Sequence, residues 1–420
     1  MQQEKSSFNH ILLIGVLFFI FGFVTWINGT LIPYLKIACE LETDMQSYLV
    51  ATAFFIAYAV MSIPSSYVLK FTGYKKGMAL GLLIMAVGAI LFVPAANARN
   101  YNLFLTGLFI IGSGLALLQT ASNPYVTIVG PIESAASRIS VMGICNKVGG
   151  ILAGLIFGYI ALKDADKLEK SLLTMTDAAR DIALNELAGR VIIPYIIIAT
   201  ALFGLAIFVM RSSLPEIDDS AEEANEHNTV TTNKTSVLQY PNLVLGVIAL
   251  FLYVGVEVLA GEIIISYGKS LNIDLDIARY FSQATLGCML VGYLIGIATI
   301  PKYLSQTNAL KICAILGVIF TVAATLTSAY VSVAFVILLG LANSLIWPAV
   351  WPLAINGLGK FTKIGSGLLV TAIAGGAILP VIYGKLADNP AIGNKQAYWI
   401  MVPCYLFILL YAMRGKRLAK

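Results

Sequence analysis

Three charged side chains fall inside long apolar runs: Lys147 in RISVMGICNKVGG, and Glu257 and Glu262 in LYVGVEVLAGEIII. Holding an ion in hydrocarbon costs a few kcal/mol or more, so each is read as a functional group or as one half of an ion pair. Glu257 can accept a hydrogen bond from a hydroxyl or take a proton and change charge state. Its alternative is a purely structural pair with Lys147, and one pair can serve both purposes. The two glutamates are five positions apart, about 500° of helical rotation, which predicts different surroundings about 140° apart on the helix surface. Glu262 is nearer the end of its run, where a solvated vestibule and a functional position are equally expected.

Neutral polar groups in the same runs widen the candidate set. Asn28, Gln119, Asn123, Asn146, Gln283 and Asn343 offer paired amide donors and acceptors, and Gln119 and Asn123 share one helical face. Trp347 and Trp351, spaced i, i+4 in ANSLIWPAVWP, present flat apolar faces and are read as cavity-lining. Amides for hydroxyl edges and indoles for C–H faces suit a sugar. The alternative for each amide is helix–helix hydrogen bonding, and for the indoles a belt at the membrane surface.

The elements carrying these residues follow from composition. Of 420 residues, 59% are hydrophobic and 12% charged, against roughly 25% charged in soluble domains, so the solvent is lipid. Apolar runs near the roughly 20 residues needed to cross a bilayer recur along the chain. They predict helices at 10–36, 46–71, 76–96, 101–130, 137–162, 190–211, 241–268, 277–300, 308–328, 331–357, 363–386 and 396–413, an all-α membrane protein of 12 transmembrane helices. Period-2 alternation, the mark of a β-barrel, is missing. The first run is longer than a signal-peptide core and is read as retained.

The net charge of +5 comes from residues scattered over the connections, which excludes nucleic acid as the natural partner. Fifteen Lys and Arg fall on the side of the termini and eleven on the other, five of these within 163–190. That asymmetry predicts a multi-pass protein of the cell (inner) membrane with both termini cytoplasmic. Four of five cysteines lie in apolar runs and the two histidines lack ligand spacing, so neither a disulfide framework nor a metal site is expected. P-loop, GxSxG, HExxH and dinucleotide signatures are missing, so no enzyme and no cofactor is expected. The 30 residues RSSLPEIDDSAEEANEHNTVTTNKTSVLQY, Arg211 to Tyr240, are too short for an appended signalling domain.

That polar stretch divides the chain into an N-terminal bundle at 1–211, a cytoplasmic linker at 212–240 and a C-terminal bundle at 241–420. A shift of 233 lays Phe18, Gly22, Tyr34 and Lys36 on Phe251, Gly255, Tyr267 and Lys269. A shift of 226 lays Ser140, Gly149, Gly150 and Gly158 on Ser366, Gly375, Gly376 and Gly384, and one of 228 lays Gly112 and Pro124 on Gly340 and Pro352. Nearly equal offsets argue for two six-helix bundles related by a pseudo-twofold axis, the major facilitator fold.

On NGTLIPYLK, LFLTGLFIIGSGLALLQTASNPYV, LYVGVEVLAG and NSLIWPAVWPLAINGLGKFTKIGSGLLVTAIAGGAILP, the chain resembles the fucose/glucose–galactose permease branch of the major facilitator superfamily. The resemblance implies cation-coupled uptake of a neutral monosaccharide by a carrier expected to be a monomer in the bilayer. Three departures stand out. Asn28-Gly29 replaces the Asn-Asp usual in relatives, Gln119 stands where fucose–proton symporters carry glutamate, and Lys147 replaces a small polar residue. Both family carboxylates associated with proton coupling are thus missing. The expectation is proton symport with Glu257 as the switch and Lys147 as its counter-charge, Glu262 completing the coupling set. Sodium coupling and uncoupled facilitation stay open, and the amide-rich interior argues against drug efflux.

Overall fold

A backbone in hydrocarbon must satisfy its own N–H and C=O groups, and these apolar runs do so as helices. The computed structural model describes residues 2–128, 135–212, 236–300, 302–358 and 361–418, and every regular element among them is helical. Span one is Gln2–Trp26 continued by Asn28–Ala38, span four Tyr101–Ile128, span five Ala135–Leu162 and span six Ile192–Arg211. Span seven is Pro241–Gly261 continued by Ile264–Ser270, span eight Phe281–Thr299 and span nine Gln306–Leu326. Span ten is Ala329–Asn343 with Ile346–Ile355, span eleven Thr362–Thr371 with Gly375–Ala387, and span twelve Met401–Leu418.

Spans two and three are bonded as one helix, Asp44–Ile90, of 47 residues. Straight, it would run about 70 Å, more than twice a hydrocarbon thickness. Gly73, at φ 73 and ψ 172, turns it back on itself, a conformation closed to most side chains. Among the described residues, the 11 helices long and apolar enough to cross a membrane, of which Asp44–Asn97 counts once, therefore make twelve crossings. The segment 163–190, expected as a connection, forms two short helices, Ala165–Leu172 and Asp177–Gly189. Tyr34 at the end of span one donates to the carbonyls of Leu187 and Ala188 (3.0 and 2.9 Å), fastening the second of these to the bundle.

The repeat in the sequence is a repeat of backbone contacts. A Cβ on Gly149 would lie 2.1 Å from the Phe19 carbonyl oxygen, where span five crosses span one. In the second half a Cβ on Gly375 would lie 1.8 Å from the Phe251 carbonyl, where span eleven crosses span seven. Gly112 sits in the same way on the Phe54 carbonyl, and Gly340 on that of Thr285. Small residues let helix axes approach where lipid supplies no hydrophobic drive for association. Two six-helix bundles result. Apolar side chains such as Ile197, Phe203, Ile295 and Ile319 stay exposed on their outer faces, as a lipid solvent requires.

The bundles meet along spans two and eleven, five and eight, and one and seven. At one end they interlock. The Asp388 carboxylate accepts from the N–H groups of Asp44 and Met45 (2.8 and 3.0 Å), capping span two from the far bundle. Asn394 donates to Asp44 (3.1 Å), which also pairs with Lys36. Nearby, Glu169 pairs with Lys269, and Asp166 accepts from the N–H of Leu275.

Gly149→Ala is expected to cost about 1–3 kcal/mol through overpacking, read as a lowered melting temperature in detergent, whereas Gly204→Ala, with nothing within 4 Å of the added carbon, is neutral. Equal effects at the two positions would refute the backbone-contact account.

Candidate functional site

Lys147 Nζ donates to Glu257 Oε1 at 2.8 Å, joining span five of one bundle to span seven of the other. The side chains are 8% and 14% exposed, so water screens the pair poorly. The ammonium also lies 4.4 Å from the centroid of the Trp26 ring, a cation–π contact from span one. Two glycines make the slot for that indole. A Cβ on Gly150 would lie 2.4 Å from Trp26 Cδ1, and one on Gly261 would lie 2.4 Å from Cζ3. The Gly149-Gly150 pair thus has two tasks, the first glycine admitting span one's backbone and the second its tryptophan.

Aromatic rings extend the site from Glu257. Tyr253, one turn earlier, has its ring centroid 6.4 Å from that of Trp347, and Trp347 stacks on Trp351 at 5.4 Å with planes 27° apart. Both tryptophans are half-buried. The hydroxyls of Tyr253 and of Tyr293 on span eight lie within electrostatic reach of the Glu257 carboxylate. The ion pair, Trp26, the two tyrosines and the stacked tryptophans make one constellation at the meeting of the bundles.

The amides divide. Gln119 donates to the Tyr58 hydroxyl at 2.9 Å and stays half-buried. Asn146 is half-buried, and its backbone carbonyl is the seat of Gly22. Asn343 accepts from the buried Tyr405 hydroxyl at 2.8 Å, which makes it a tie between spans ten and twelve. Gln283 is wedged against Gly154 of span five, and its amide, turned end for end, donates to the carbonyls of Arg279 and Tyr280 (2.5 and 3.2 Å). These two take the helix-contact alternative. The side chain of Asn123 lies outside the described residues. Asn28 is 1% exposed, with neither amide atom partnered among the described residues.

Of the two readings left open for Glu262, the solvated vestibule does not hold. The helix of span seven ends at Gly261 and resumes at Ile264, and this step turns Glu262 inward, 0% exposed, beneath Gly29 of span one. Sequence reasoning missed Trp26 and Tyr293. The available signal was a tryptophan two residues before Asn28 at the middle of a span, away from the interface where indoles usually anchor. Among the described residues no group of three or more His, Cys, Asp or Glu is placed to hold a metal.

Two helical bundles that clamp a charged, aromatic-lined centre in mid-membrane define a membrane transporter rather than an enzyme. The chain belongs to the Major Facilitator Superfamily, whose family model matches residues 14–381. It is 36% identical to a glucose/galactose transporter of Brucella abortus over 406 residues, 96% of this chain and 93% of that one. Against an L-fucose-proton symporter of Escherichia coli it is 28% identical, covering 98% and 94% of the two chains. Among solved structures it is similar to a major facilitator superfamily transporter, FucP, in the outward conformation, with a TM-score of 0.72, 27% identity, and 96% and 98% coverage.

Removing one partner of the mid-membrane pair strands the other charge. Lys147→Met or Glu257→Gln alone is expected to destabilise by about 3–5 kcal/mol, and the double variant by less than either. Thermal unfolding in detergent measures the cycle, and simple additivity would show that the two groups are not coupled.

Proposed function

We propose that this chain imports a neutral monosaccharide of the glucose/galactose type by cation symport, with H+ as the ion, through alternating access. The observation that carries the reading is the Lys147–Glu257 bond, because it joins the two bundles beside the Tyr253–Trp347–Trp351 wall. The names of the Brucella abortus and Escherichia coli relatives support the substrate class and the ion.

A neutral sugar feels no membrane potential, so uphill uptake requires a bound cation that changes the balance between two conformations. Ionised Glu257 holds Lys147 and keeps the bundles together at mid-membrane. Protonated, it loses that attraction and gains a donor that a sugar hydroxyl can accept from, while the indoles present apolar faces to the ring. Gln119 and Asn146 supply further polar contacts. In our reading 1–211 and 241–420 are the moving bundles, 212–240 is their cytoplasmic linker, both termini face the cytoplasm of the cell inner membrane, and one chain suffices. The interlocked end, with its connections poorer in Lys and Arg, then faces outward.

Proteoliposomes under an inward pH gradient, acid outside, are expected to accumulate labelled glucose or galactose. Glu257→Gln is expected only to equilibrate them; undiminished pH-driven accumulation in this variant overturns Glu257 as the switch, and equilibration in wild type under every gradient overturns symport. Trp347→Ala is expected to raise the KM for sugar about tenfold, about 1.4 kcal/mol of lost stacking, with coupling intact.

A further inference from the structure

Lys147 has two partners, and they belong to different bundles. Glu257 lies on span seven of the second bundle, and Trp26 on span one of the first, the bundle that carries Lys147 itself. The indole is 4% exposed and lies across the seam. It packs with Ile151 of span five and with Leu286 and Met289 of span eight, in the slot cleared by Gly150 and Gly261. Tyr253, Tyr293 and Glu262, which face the Glu257 carboxylate electrostatically, all belong to the second bundle.

The ionic tie between Lys147 and Glu257 can be dissolved in two ways. A proton arriving from outside the pair turns Glu257 into the acid and leaves Lys147 an ammonium. Alternatively, the Nζ–H bond breaks and an Oε1–H bond forms across the 2.8 Å hydrogen bond, leaving an amine and a carboxylic acid with no proton taken from either side of the membrane. Both routes free the bundles, but only the first carries a proton with the sugar. The second is a leak. Burial favours it, because charges withdrawn from water neutralise where a proton can be handed over.

We propose that Trp26 is a positioning residue for coupling: it holds Lys147 in the ammonium form, so that the proton neutralising Glu257 comes from outside the pair. A π face attracts an ammonium far more than an amine, and the contact at 4.4 Å therefore favours the charged state of the lysine. Because Trp26 and Lys147 share a bundle, this contact survives when the bundles part, whereas the bond to Glu257 does not. The glycines fit the same role, since a Cβ on either would lie 2.4 Å from the indole and push the ring from its seat beside the ammonium. The inference rests on the symport reading above and deepens it by naming what prevents uncoupled passage.

The test is the number of protons carried per sugar, a ratio that does not depend on how fast a variant turns over. Proteoliposomes holding a pH-sensitive dye are given labelled glucose or galactose, and the internal acidification is divided by the sugar taken up. Trp26→Leu is expected to lower the ratio to about half of the wild-type value or less. Trp26→Phe, with a weaker π face, is expected to give an intermediate value and decides the matter should Trp26→Leu not fold. Lys147→Arg in either background is expected to restore the ratio, since a guanidinium does not give up its proton. A wild-type ratio in the tryptophan variants overturns the proposal. So does a lowered ratio that Lys147→Arg leaves lowered, which is the result of a merely structural loss at Trp26. A wild type that moves sugar without protons overturns the symport reading and this inference with it, whereas a coupled wild type beside equally coupled tryptophan variants counts against this inference alone.

Discussion

Hydrocarbon offers a charged or polar group nothing to bond to, and the architecture answers to that constraint at every scale. Backbones close on themselves as helices, helices approach through glycines, and the ammonium of Lys147 is met from three directions. Glu257 supplies the counter-charge, Trp26 a π face, and the surrounding spans exclude the water that would otherwise screen the pair. Since the partners belong to different bundles, satisfying this one charge also holds the bundles in register at mid-membrane. In the import cycle proposed above, that structural demand and the conformational lever coincide in the same bond.

Much of this was legible in the sequence because lipid makes the pattern coarse. Apolar runs of bilayer length can be little else than spanning helices, and ions inside them stand out. The offsets relating Gly149 to Gly375 and Gly112 to Gly340 carried real content, since each pair of glycines accepts a carbonyl from the equivalent crossing helix. Less legible was anything set by a partner distant along the chain. Asn343 and Asn146 are both amides in apolar runs, yet Tyr405, 62 residues away, ties one into a helix contact. Gln283 is claimed by carbonyls of its own preceding turn. Trp26 is a cation–π partner only because Gly150 and Gly261, on two other spans, leave the same slot open.

Glu262 escaped for a different reason. Periodicity counts depth along an unbroken helix, and span seven is broken one residue before it. A break rotates every later residue of the span by an angle that periodicity cannot supply. The reversal at Gly73, by contrast, falls in the gap left between the predicted helices 46–71 and 76–96, although hydrogen-bonded geometry continues through it. In a protein of long helices, the irregular residues hold the information that regular pattern omits.

The cap that Asp388 places on span two has a consequence for how the interlocked end opens. A helix N-terminus carries N–H groups with no partner of their own, and here two of them are satisfied by a residue that belongs to the other bundle. Asp388 is exposed, so water already stands beside the donors and the carboxylate and can solvate both as the bundles part. The cap therefore fixes the register of the closed end while leaving its opening cheap, since exposed hydrogen bonds trade against water at little net cost.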